Sequence, residues 1–129
     1  MLRINSIVIG TGLGHVNKPI YPAIERAAKK GVAIYMTVQT IWGYVHMFVY
    51  DTGRDLLDIG VVPLDNMLPE TALMKLGWVL GHTDDHDHVL ELMRTPINHE
   101  ITEREPLDGY LVLQGGLTEI DQIMKGFRR

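Results

Sequence analysis

A chain of 129 residues, 46% hydrophobic and 22% charged, has the length and apolar content of one soluble globular domain. Its formal net charge of −4, with Lys and Arg scattered along the chain, speaks against a nucleic-acid surface, and its lack of cysteine excludes disulfides and thiolate chemistry. No apolar run approaches the roughly 20 residues of a membrane span and no signal peptide is visible at the N-terminus, so a cytoplasmic protein is expected, away from membranes.

Residues 6–9 (SIVI) form a continuous β-branched run, the pattern of a buried strand. The glycine turn GTGLG follows at 10–14. Residues 21–30 then read as a helix whose apolar face is Ile20, Ala23, Ile24, Ala27 and Ala28. Lys29 and Lys30 suit its C-terminal dipole, and Gly31 closes it. Residues 32–37 are a second buried strand. Residues 38–51 (VQTIWGYVHMFVYD) are aromatic and β-branched without a clear period, which predicts a loop containing a short extended piece.

A short helix is expected over 52–59, stopped by Gly60. The stretch 69–80 is a stronger one, with Pro69 at the first helical position, Glu70 in the first turn and Gly81 just beyond. Its Leu73, Leu76, Val79 and Leu80 are expected in the core, with Met67, Met74 and Trp78 as filling. Residues 83–94 make a further helix capped by Thr83. The chain closes on a strand at 110–113, a turn at Gly115-Gly116 and a helix over 118–127. Strands alternating with helices imply an α/β fold, a parallel sheet with helices on both faces.

Three stretches could carry chemistry. A dinucleotide fingerprint wants G-x-G-x-x-G opening directly into a helix, with an acidic residue ending the second strand. Here the spacing is G-x-G-x-G, Pro19 and Pro22 delay the helix, and the second strand ends in Met36-Thr37. A tight βα turn with close backbone packing accounts better for the glycines than a nucleotide-binding module does. In GHTDDHDHVLEL, the side chains of His82, Asp84, Asp85, His86, Asp87 and His88 are metal-capable, but on a helix only pairs such as Asp84 and His88 share a face. Their acids are explained by the first-turn dipole, so no functional metal site and no cofactor are expected. The third stretch, DNMLPETALMKLGWVLGHT, reads as core, and no Ser/His/Asp-type nucleophile–base pair is evident.

Taken together, GTGLGHV, MTVQTIWGYVHMFVYDTGRDLLDIGVVP, DNMLPETALMKLGWVLGHTDD and VLELM resemble the C-terminal domain of the asparaginase family over about residues 7–101. The resemblance points to two branches, the D-type subunit of the archaeal glutamyl-tRNA(Gln) amidotransferase and the type I L-asparaginases. It implies a flavodoxin-like (Rossmann-like) fold and a homodimer, and a role in asparagine or glutamine amide hydrolysis by the full protein. It also implies that the glycine turn faces the active site of a neighbouring subunit. Gly12, Gly14 and His15 then become cross-subunit substrate contacts, with His15 where related enzymes carry an Asn. The family's nucleophilic Thr lies in a large N-terminal domain, in motifs such as T-x-G-G-T and T-D-T. Neither occurs here, so no catalytic residue is assigned to this chain and it is expected to be inactive without an asparaginase-type catalytic domain. Two further departures stand out: Val38 replaces a frequent Ser, and Asn98-His99 replace an Ala-Gly pair before Glu100.

In that family a βα unit precedes the strand leading into the glycine turn, and here the chain starts at that strand. The tail GYLVLQGGLTEIDQIMKGFRR has the character of the missing unit. The whole chain is therefore expected to form one domain, with 106–129 supplying its first strand–helix unit by circular permutation, and Met1 near Arg129.

Overall fold

A computed structural model describes residues 4–103. The strand at 110–113, the Gly115-Gly116 turn, the helix over 118–127 and the permuted chain order all lie outside the described residues. Three parallel strands form one sheet in the order β1 (Asn5–Gly10), β2 (Ala33–Val38), β3 (Val62–Pro63). Between and after them come α1 (Tyr21–Lys29), α2 (Asp51–Asp58), α3 (Pro69–Leu80) and α4 (His86–Arg94). No helix among these residues is long and apolar enough to cross a membrane.

The side-chain alternation of β2, buried along its whole length, divides the core in two. Ile34, Met36 and Val38 pack with Ile24 of α1 and Leu56 of α2 on one face. Ala33 and Tyr35 pack with Ala72, Leu76 and Val79 of α3 and Val89 and Met93 of α4 on the other. Helices therefore cover both faces, as the strand–helix alternation implies. Burial pushes the Tyr35 hydroxyl up to about 12.

Several local expectations need correction. The run at 6–9 is not fully buried: among the described residues β1 is an edge strand, and Ile9 is 56% exposed. Ile20 and Ala23 lie outside the buried face of α1, which centres on Ile24. β3 escaped notice because it is two residues long, and Pro63 has no N–H for a ladder. Residues 39–50 contain no strand; Val45 instead donates its N–H to the Asp65 carbonyl at 2.9 Å and is buried with Met47. The helix expected over 83–94 starts at His86, because Asp85 is its cap and accepts the His88 N–H at 2.9 Å. Thr83 instead accepts the Asp85 N–H at 3.2 Å.

The larger correction concerns α3. Ala72, Leu76 and Val79 are buried, but Leu73, Met74, Trp78 and Leu80 are exposed. A helix apolar all round would ordinarily be buried all round, and its outer face here is not. Its one buried charge is Lys75, which donates to the Thr95 carbonyl and to Glu100 Oε1, both at 2.6 Å. Glu100 also accepts the N–H of Asn98 at 2.6 Å and that of Ile97 at 3.0 Å. This one carboxylate ties residues 95–100 to α3. His99, where the resemblance has Gly, adopts φ +61°, in the region where glycine is favoured.

Burial alone would raise the Glu100 carboxyl, but the bonds from Lys75 and from the Asn98 and Ile97 amides outweigh it and hold it at about 2. A carboxyl depressed on folding stabilises the fold above its ordinary value near 4.5, and that stability is lost as pH falls through the folded value near 2. Glu100→Gln should therefore destabilise the protein by about 3 kcal/mol at pH 7, since it uncouples a buried ion pair. In thermal melts the gap to the parent protein should close between about pH 4.5 and pH 2. A gap independent of pH would rule out the ion pair as its cause.

Candidate functional site

The polar residues gather at the carboxyl end of the sheet, where β1 runs into the glycine turn. Gly10 ends β1 in register with Val38, and residues 12–14 form a single 3-10 turn. The chain doubles back tightly: Thr11 N–H donates to the His15 carbonyl at 2.7 Å and Gly14 N–H to the Thr11 carbonyl at 2.9 Å. These bonds use amides that a phosphate cradle would need free, and α1 begins only at Tyr21. The turn is not built as a nucleotide cradle.

The glycines have separate reasons. A Cβ on Gly10 would sit 2.9 Å from the Cα and carbonyl carbon of Gly14 and from the His15 oxygen. Gly14 has φ +82°, and a Cβ there would meet Val45 Cγ1 at 2.7 Å. Gly12 has nothing within 4 Å. Between them Leu13 holds φ +66°, a left-handed conformation that costs about 1–2 kcal/mol for such a residue. Contacts around the turn, chiefly those of Gly14 with Val45, Met36 and Met47, hold it there.

His15 emerges from this turn and is fixed by residues that no sequence motif marked. Its Nδ1 lies 3.2 Å from Thr52 Oγ1, and its ring meets Tyr50 edge-on at 5.0 Å between centroids. Thr52 is held in turn by the Tyr21 hydroxyl, which donates to its carbonyl at 2.7 Å. The His15 Nε2 is buried and has no hydrogen-bond partner among the described residues. Thr52 and His15 thus bring a hydroxyl and an imidazole together. No described carboxylate orients the imidazole, so the pair lacks the third member of a nucleophile–base–acid arrangement. Tyr50 lies within an aperiodic stretch and Thr52 just after it, and only tertiary contact reveals them.

Tyr50, whose ring meets His15, is exposed, as are its chain neighbours Phe48 and Val49. Gly53 locks that loop to α2, because a Cβ there would run into the Met47 carbonyl oxygen. Residues 82–88 lie apart from this site: His86 lines a groove with Gly31 and Gly60, at the amino end of the strands. Among the described residues no three His, Asp or Glu converge as a metal site would require.

The described residues form an α/β domain, a parallel sheet with helices on both faces, whose glycine turn carries a positioned imidazole. The sequence pattern of the glutaminase/asparaginase C-terminal domain family matches residues 4–93, and the chain belongs to that family. Among its relatives, the D-type subunit of the glutamyl-tRNA(Gln) amidotransferase of Thermococcus kodakarensis is 52% identical over 105 residues, 81% of this chain and 24% of that protein. The corresponding protein from Saccharolobus solfataricus is 49% identical over 102 residues, 79% of this chain and 23% of that one. Of solved structures, the thermostable L-asparaginase of Thermococcus kodakarensis aligns with a TM-score of 0.67 at 32% identity, over 76% of this chain and 30% of that one. L-asparaginase I of Vibrio cholerae aligns at 0.66 and 30% identity, over 79% and 32%. The chain therefore spans about a quarter to a third of the length of the proteins it matches.

The turn chemistry makes a direct prediction. Gly10→Ala should destabilise the fold by about 2 kcal/mol or more, because backbone lies against the new methyl group, whereas Gly12→Ala should stay within about 0.5 kcal/mol. Urea unfolding of the two variants measures the difference, and equal values would refute the assignment.

Proposed function

We propose that this chain serves as the small domain of an asparaginase-type amidohydrolase or tRNA-dependent amidotransferase, contributing contacts to an active site whose nucleophile belongs to another domain. The observation that carries the reading is His15: its ring is positioned by Thr52 and Tyr50, and its Nε2 has no partner among the described residues. A buried polar atom left unsatisfied is costly, and a substrate carboxylate or carboxamide would relieve that cost. Gly12 and Gly14 shape the turn that carries this ring towards the neighbouring subunit. The exposed Phe48, Val49 and Tyr50 rim supports a docking role for the same end.

A Thr nucleophile needs a base and an oriented partner, and no described acid stands behind the Thr52–His15 pair. The chain by itself should release no ammonia from asparagine or glutamine. Adding the large domain of an L-asparaginase should restore release, and His15→Ala should lower the restored rate by about 10- to 100-fold, the loss of one or two substrate hydrogen bonds. Sustained ammonia release by the chain alone that persists in His15→Ala would sink the reading.

The second element is pairing with a second copy through the exposed apolar rim. Light scattering should show a concentration-dependent dimer that Phe48→Glu disperses. A monomer at every concentration would remove dimerisation from the proposal.

A further inference from the structure

Among the described residues Thr52 alone is hydrogen-bonded to the His15 ring, and its other polar groups are engaged elsewhere. Its N–H donates to Asp51 Oδ1 at 2.8 Å, and its carbonyl accepts the Tyr21 hydroxyl at 2.7 Å. His15 is anchored through its own backbone, whose carbonyl accepts the Thr11 N–H at 2.7 Å and the Thr11 hydroxyl at 3.2 Å. Hydroxyl and imidazole are therefore presented to each other by two separately fixed segments.

A neutral imidazole carries one N–H and one lone pair, so the pair has two possible arrangements. With the proton on Nδ1 and donated to Thr52, the hydroxyl hydrogen and the buried Nε2 lone pair would both lack a partner among the described residues. With the hydroxyl donating to a bare Nδ1, only the Nε2–H lacks one. Each hydrogen bond left unmade carries its own cost, so the second arrangement is the favoured one.

We propose that Thr52 is a positioning residue that holds His15 as its Nε2–H tautomer, so that the ring can only donate to its ligand. The group it meets is then an acceptor oxygen, of a carboxylate or an amide carbonyl, and not an ammonium or an amide N–H. This ligand chemistry rests on the reading of His15 as a substrate contact, whereas the tautomer is a property of this chain alone. An Asn at the same place would offer both a donor and an acceptor. The imidazole fixed by Thr52 offers the donor only, which makes position 52 a determinant of what position 15 selects.

Long-range proton–nitrogen NMR spectra of the labelled full chain, at about pH 8.5 where a free imidazole is neutral, show which ring nitrogen carries the proton. Signals absent from His15→Ala identify residue 15 among the six histidines. His15 should carry the proton on Nε2 in the parent chain and in Thr52→Ser. Thr52→Asp, whose carboxylate can only accept and suits the first turn of α2, should move it to Nδ1 with the thermal melt retained. A proton on Nδ1 in the parent, or one still on Nε2 in a folded Thr52→Asp, would overturn the proposal. In the mixture with the large domain of an L-asparaginase, His15→Gln, which still donates, should release ammonia about tenfold faster than His15→Glu, which only accepts. The reverse order would overturn the ligand assignment. The spectra need no catalytic partner, so they decide the tautomer even if the ammonia assay removes the substrate reading.

Discussion

The site hangs on the absence of two side chains. Gly10 and Gly14 let the chain leaving β1 fold back to backbone contact, and Gly14 then rests against Val45, Met36 and Met47. Through those contacts the turn, the central strand and the long loop after it become one packed unit. Val45 is pinned to Asp65 beyond β3, and Met47 presses its backbone against Gly53 at the start of α2. A methyl group at either Gly10 or Gly14 would separate layers that all meet there. The strain held in Leu13 is a consequence of the same closure.

His15 shows how such packing fixes a side chain. Its ring owes its orientation to Thr52, which the Tyr21 hydroxyl holds, so a strand end, the start of α1 and the start of α2 converge on one imidazole. None of those partners is charged, which suits a hydrogen-bonding contact and gives no proton relay. The relatives that this chain matches are about two and a half to three and a half times its length.

Along α3 and the segment that follows α4, polarity does structural work. Lys75 and Glu100 are both nearly buried, and every hydrogen bond they share serves to hold residues 95–100 against α3. Thr102 continues that anchoring, bonding with Asn66 at 2.6 and 3.0 Å and with the Tyr44 hydroxyl. Satisfied buried polar groups of this kind select one conformation for a segment with little apolar content of its own. They also explain how His99 is kept in a left-handed conformation.

Periodicity, caps and glycines were enough to read β1, α1, β2, α2 and α3 from the sequence, because each is decided within a few neighbouring residues. The tight βα turn was legible too, since glycine spacing and the delaying prolines are local facts, and the resemblance pointed to His15. The two-residue β3 was not, because a strand that short exists only through its pairing with Tyr35 and Met36. Nor was the orientation of α3: its apolar residues surround the helix, so only packing decided that Leu76 faces inward and Leu73 outward. Asp85 displaced Thr83 as a cap because both residue types suit the role and the backbone chose between them. Thr52 and Tyr50 became partners of His15 across 37 and 35 residues of chain, a juxtaposition that no local pattern encodes and that the closing of the fold alone creates.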